Sequence, residues 1–118
     1  MPKSAMHQVL LGETHLARRE SKPAEAAYLA AIALDERLPG PYLRLGSFHA
    51  ASGQYDQALA RVGKAIEVNP RNVGALMLAG VIHEKRGDIV KAHEFYEKAL
   101  ALSPRFAAAA NNLERNVP

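Results

Sequence analysis

The chain contains no cysteine and no tryptophan, and only 6% of its residues are aromatic. Without cysteine, a disulfide framework, a cysteine zinc site and a thiol nucleophile are all excluded. Long apolar runs are also missing, because charged residues interrupt the short apolar stretches. The sequence therefore predicts neither a membrane-spanning segment nor a signal peptide, and we expect a cytoplasmic protein.

The remaining composition is that of a folded, soluble domain, with 48% hydrophobic and 23% charged residues in 118. This length predicts a single domain, residues 1–118, with one core. Lys and Arg number 15 against 12 Asp and Glu, which gives a formal net charge of +3. Because the two signs are mixed along the chain, this charge is more typical of a solvated surface than of a polyanion-binding site.

The most informative feature is an internal period of 34 residues. A period of this length is typical of stacked helical repeats. It divides the chain without gaps into units 5–38, 39–72 and 73–106. The residues that repeat are Gly12, Gly46 and Gly80; Ala24, Ala58 and Ala92; Ala31, Ala65 and Ala99; and His15, His49 and His83.

Each unit is predicted to form two helices, because apolar residues recur at steps of three and four between turn residues. In the second unit we expect the first helix to run from about Tyr42 to Ser52. Gly53 follows it, where a helix C-terminus favours a residue with positive φ, and Gly87 has the same place in the third unit. Asp88 is then expected to cap the next helix.

Small residues are expected to let the two helices of a unit approach closely. The glycine at the eighth place and the alanine at the twentieth are predicted to face each other, where a larger side chain would overpack. Helix ends are predicted at Asn69-Pro70 and Ser103-Pro104, because the residue before proline disfavours helical geometry.

The units resemble the tetratricopeptide repeat, whose signature is W-x2-L-G-x2-Y, then A-x3-F, then P in 34 residues. The first unit departs most, with Gln8 in the aromatic place, Arg19 at the inter-helix turn and Glu36 in place of proline. The matching residues are Tyr42, Leu45, Gly46, His49, Ala58, Val62 and Pro70 in the second unit, and Leu76, Ala79, Gly80, His83, Ala92, Tyr96 and Pro104 in the third.

This resemblance implies an all-α fold, an α-solenoid of three helix-turn-helix repeats in a right-handed superhelix. Residues 107–118 are expected to form either a capping helix or the truncated start of a fourth repeat. We prefer the second interpretation, because four consecutive alanines are an unusual outer face for a cap.

No pattern in the sequence supports catalysis. His83-Glu84 begins like the zinc motif H-E-x-x-H, but Gly87 occupies the place of the second histidine. Gly63-Lys64 resembles the end of a phosphate-binding loop, but it lies inside a predicted helix and Ala65 follows where Ser or Thr is needed. We therefore predict a non-enzymatic protein without catalytic, cofactor-binding or metal-binding residues.

The three aligned histidines are the most unusual feature. Successive repeats lie about one helix diameter apart, on the order of 10 Å, so the three rings do not converge on one ion. We predict that each ring packs between the helices of its unit with one nitrogen hydrogen-bonded. A pH-sensitive packing role is the alternative.

The resemblance implies a concave groove, lined by the face of each first helix that points away from its partner helix. We expect a non-catalytic protein–protein interaction scaffold that binds a peptide or helix there. A competing interpretation is that part of this face, including Leu10, Leu78 or Val81, packs on the preceding unit. The candidate groove residues are Met6, Val9, Leu10, Glu13, Leu43, Arg44, Ser47, Met77, Leu78, Val81, Glu84 and Lys85.

Other functions are less favoured but remain open. Some members of the family hold the carboxylate of acidic chaperone tails with Lys and Asn, but Val9, Glu13 and Gly74 stand at such places, which disfavours that ligand. RNA binding is disfavoured because Tyr28 and Tyr96 fall at packing places. The main alternative is self-association, or positioning of substrates as a segment of a larger enzyme or assembly protein.

Overall fold

The computed structural model describes residues 4–105 of the chain. Within this range it contains six helices and no strand. Neighbouring helices pair as α1 with α2, α3 with α4 and α5 with α6, which confirms the three helical hairpins. The end of the third unit and the predicted segment 107–118 lie outside the described residues. The helices are α1 (Ala5–Ala17), α2 (Ser21–Leu34), α3 (Pro39–Ala51), α4 (Tyr55–Val68), α5 (Val73–Arg86) and α6 (Ile89–Leu102).

The hairpins stack into an elongated solenoid with principal extents of 51 × 26 × 22 Å. Contacts of α2 with α3 and of α4 with α5 join successive hairpins, and α3 also touches α5. The first helices α1, α3 and α5 are therefore neighbours along one side of the stack. This is the arrangement that brings the candidate groove residues of the three units together.

The turns inside the hairpins follow the predicted chemistry. Gly53 has φ 77° and Gly87 has φ 98°, the left-handed geometry that glycine adopts without steric penalty. In the first hairpin the same place holds Arg19, at φ 61°. An arginine in this region is strained by its Cβ, so the departure of the first unit from the pattern carries an energetic cost.

Two predictions about helix starts were wrong. Helix α3 begins at Pro39 and not near Tyr42, because proline suits a first helical turn, where backbone N–H groups have no intrahelical partner. Asp88 stands at the N-cap of α6 but makes no capping hydrogen bond. Its carboxylate lies instead 3.5 Å from Nε of Arg86 and 3.7 Å from Nδ1 of His83.

The glycines at the eighth place make room for a side chain and not mainly for the alanine predicted to face them. A Cβ on Gly12 would lie 2.6 Å from Cε1 of Tyr28, and one on Gly46 would lie 2.6 Å from Cγ2 of Val62. Gly80 faces the ring of Tyr96 in the same way. The residue at the twenty-fourth place thus occupies the space that the missing Cβ leaves.

The buried residues form two clusters of unequal size. The larger joins the second and third hairpins and includes Tyr42, Val62 and Ile82. The smaller consists of Ala24, Tyr28 and Leu45, so it connects the first hairpin to α3. The core is therefore continuous along the stack but thinner at its N-terminal end.

Candidate functional site

The twelve candidate groove residues lie on the three first helices α1, α3 and α5. Their exposure differs along the stack. Met6 and Leu10 on α1 are 55% and 60% exposed, although both are large and apolar. At the other end of the row, Met77 and Val81 on α5 are half-buried. Apolar surface is thus available at both ends, and most of it on α1.

Part of the predicted face belongs to the core. Leu43 and Leu78 pack against the larger buried cluster, and Val9 packs against the smaller one. Packing between units therefore accounts for Leu78, whereas Leu10 remains exposed. The solvent-accessible part of the surface is narrower than the sequence pattern predicts.

A polar bridge crosses the face between the first and second hairpins. Oε1 of Glu13 accepts hydrogen bonds from the hydroxyl of Tyr28 at 3.1 Å and from Nε of Arg44 at 2.8 Å. Burial of the ring, with the hydrogen bond to Glu13 as a second cause, raises the pKa of Tyr28 to about 12. The carboxylate holds the guanidinium on the surface, half-exposed and in a defined place.

The third hairpin repeats part of this arrangement. The hydroxyl of Tyr96 donates to Oε1 of Glu84 at 3.2 Å. Burial and the neighbouring charge of Glu84 raise the pKa of Tyr96 to about 12. Beside it Lys85 is exposed and forms no ion pair within residues 4–105. Among the charged candidate residues, Lys85 is therefore the one most available to a ligand.

Each aligned histidine is placed near a polar side chain five residues later, across the turn of its hairpin. Two of the three rings are hydrogen-bonded through Nδ1, and the ring of His83 stacks on Phe95 with centroids 5.4 Å apart. The sequence analysis missed these partners, although their own 34-residue spacing was a readable signal. The Nδ1 distances are 3.2 Å for His15 to Glu20, 3.0 Å for His49 to Gln54 and 3.7 Å for His83 to Asp88.

Two searches of the described residues bear on the class of function. Between residues 4 and 105, no three His, Asp or Glu side chains are grouped so that they could hold a metal ion. In the same range, no helix has the length and apolar character needed to cross a bilayer.

Comparison with known proteins gives one family and several similar folds. The family model described as tetratricopeptide repeat matches residues 43–105. None of the curated proteins compared with the chain matches it significantly. Among solved structures, MamA is 28% identical with a TM-score of 0.78, and the alignment covers 89% of this chain and 57% of MamA.

Two further solved structures share the fold at lower identity. YrrB, described as a TPR protein with an unusual peptide-binding site, is 23% identical with a TM-score of 0.82, over 96% of this chain and 58% of YrrB. The first TPR of Spaghetti (RPAP3), bound to the HSP90 peptide SRMEEVD, is 19% identical with a TM-score of 0.86, over 95% and 91% of the two chains. The chain thus spans less than two thirds of the length of MamA and YrrB.

Proposed function

We propose that this chain, which belongs to the tetratricopeptide repeat family, is a non-catalytic protein–protein interaction scaffold that binds a peptide or helix along α1, α3 and α5. The observation that carries the proposal is the exposure of Met6 and Leu10, at 55% and 60%, on the face that these helices share. Large apolar side chains grouped on a surface mark an interaction site more often than isolated ones do. Peptide binding by the similar folds of YrrB and the Spaghetti TPR supports this choice.

The surface favours a ligand with apolar residues at its ends and a polar middle. Methionines at positions 6 and 77 are deformable contacts, which suits a groove that accepts several side-chain shapes. Between them lie the exposed side chains of Arg44 and Ser47. Lys85 adds a cation at the C-terminal end. An acidic tail such as SRMEEVD is not the proposed ligand, because Val9 and Gly74 replace cations that would hold its carboxylates.

A peptide selected from a display library tests the proposal directly. We expect Met6→Glu and Leu10→Glu to weaken binding of the selected peptide about tenfold, because each places a charge in an apolar contact. Leu34→Glu is a matched control, since Leu34 is 53% exposed but lies on α2. Fluorescence anisotropy gives the affinities, and circular dichroism verifies that all variants stay helical.

Two results would contradict this assignment. If Leu34→Glu weakens binding as much as Met6→Glu does, the peptide does not lie on α1. If light scattering shows a dimer that Met6→Glu and Leu10→Glu both dissociate, the surface serves self-association, and the ligand is a second copy of the chain.

A further inference from the structure

The loops between hairpins carry arginine at one repeated place. Arg37, Arg71 and Arg105 are 34 residues apart. Since the helices alternate in direction, the loops between hairpins lie together at one edge of the solenoid, and the turns within hairpins lie at the opposite edge. The three arginines therefore form a row along the loop edge.

The loops hold two of these arginines in the same way. The backbone N–H of Arg37 donates to Oδ1 of Asp35 at 3.0 Å, and that of Arg71 donates to Oδ1 of Asn69 at 3.0 Å. Both side chains therefore leave the backbone from equivalent positions in successive repeats. Stacked helices place these positions on the order of 10 Å apart.

The charge of this row is not neutralised by the fold. Within residues 4–105, Arg44 and Arg86 form ion pairs with Glu13 and Asp56, but neither Arg37 nor Arg71 takes part in any. Both guanidinium groups are exposed. A partner with negative charge would therefore meet cations that need not be released from another carboxylate.

An open cleft lies beside the first arginine of the row. Its volume is about 340 Å³, and at its wall Lys64 and Glu67 form a long ion pair of 3.4 Å. Thirty-four residues further on, Lys98 replaces Lys64 with the same charge, while Ala101 replaces Glu67. The cation excess therefore increases toward the third hairpin. The cleft is lined by Glu36, Arg37, Tyr42, Lys64, Glu67 and Val68.

We propose that the loop edge binds an extended acidic segment of a partner protein, with a carboxylate at about every third residue. In polyproline II geometry the chain rises about 3.1 Å per residue with three residues per turn, so every third side chain points the same way at about 9 Å intervals. That spacing matches the distance between repeats. Guanidinium groups hold carboxylates through paired, charge-assisted hydrogen bonds.

A single-stranded nucleic acid fits this edge less well. Such ligands combine phosphate contacts with bases stacked on aromatic rings. The aromatic residue of the cleft, Tyr42, is buried and its hydroxyl donates to the carbonyl oxygen of Glu36 at 3.1 Å. The ring is thus committed to the loop and presents no face for a base.

A labelled peptide of four Glu-Pro-Pro triplets is the probe. We expect Arg37→Gln with Arg71→Gln to weaken its binding about fivefold at low salt, as the loss of two surface charge contacts implies. The control is Lys22→Gln with Lys91→Gln, which also removes two exposed cations, but at the opposite edge. It is expected to change the affinity less than twofold.

Several results would overturn the proposal. Equal losses in the two double variants would show attraction to net charge and no specific edge. A peptide of the same composition with its four glutamates adjacent must bind more weakly, and equal binding contradicts the repeat spacing. Tighter binding of a uridine 12-mer, lost in the arginine variant, would assign the edge to nucleic acid. Met6→Glu is expected to leave binding of the probe unchanged, which separates this edge from the groove along α1.

Discussion

Arginine at a left-handed turn position has a cost that the other two hairpins avoid. Arg19 has φ 61° where Gly53 has φ 77°. A residue with a Cβ pays about 1 kcal/mol there relative to glycine. We expect Arg19→Gly to raise the free energy of unfolding by about 1 kcal/mol in urea denaturation. The reverse change, Gly53→Ala, should lower it by a similar amount, and a destabilised Arg19→Gly variant would contradict this account.

Two helical glycines differ in what surrounds them, and the difference predicts opposite effects of the same substitution. A Cβ on Gly12 would lie 2.6 Å from the buried ring of Tyr28, whereas one on Gly63 meets nothing within 4 Å. Gly63→Ala should therefore stabilise the protein by about 0.5–1 kcal/mol, through helix propensity alone. Gly12→Ala should destabilise it by about 1–3 kcal/mol, because the ring has to shift. Thermal unfolding followed by circular dichroism compares them, and stabilisation by both would show that the ring yields freely.

The two tyrosines bonded to carboxylates make the fold sensitive to alkaline pH. The pKa values of Tyr28 and Tyr96 are raised to about 12 in the folded protein, against about 10 in an unfolded chain. Their stabilising contribution is thus complete below pH 10 and is lost as the pH rises from about 10 to 12. Urea denaturation across this range should show a shallower loss for Tyr28→Phe with Tyr96→Phe than for the natural sequence. An identical loss in both would show that other groups control it.

Among the helices, α1 is the least embedded. Its buried residue is Gly12 alone, while α5 buries six residues including Leu76 and Ile82. Local opening of a helix costs less when little apolar surface is buried beneath it. We expect the amides of α1 to exchange with solvent at least tenfold faster than those of α5, measured by hydrogen exchange with NMR detection. Equal protection of the two helices would mean that the first hairpin opens only with the whole molecule.

The helical elements were predictable from the sequence to a greater extent than their contacts. The 34-residue register fixed all three hairpins and the glycine turns, because those features depend on local backbone chemistry. It misplaced the start of α3 at Tyr42, since Pro39 reads as a break in a sequence pattern although it suits a first helical turn. The contact between Glu13 and Arg44 was not predictable, because it depends on the angle at which two hairpins stack. The candidate groove was for the same reason drawn too wide.

At the scale of the whole molecule, the unequal clusters make the stack asymmetric. In repeat proteins, stability is approximately the sum of the stabilities of the units and of their nearest-neighbour interfaces. Here the interface between the second and third hairpins is the larger one. The first hairpin is attached by the cluster of Ala24, Tyr28 and Leu45. The surface that we assign to peptide binding therefore lies partly on the hairpin that is held least firmly, and a bound ligand would stabilise it.

Leu45 is the residue on which this attachment depends, because it is fully buried and belongs to α3 while its cluster partners belong to α2. We expect Leu45→Ala to cost about 2–5 kcal/mol and to leave the first hairpin open while the other two remain folded. Hydrogen exchange should then show protection lost in α1 and α2 but kept in α5. Ile82→Ala, an equally buried site in the third hairpin, should reduce protection of α5 and α6 first. If both variants lower protection evenly over the six helices, the stack unfolds as one cooperative unit, and binding along α1 gains nothing from local order.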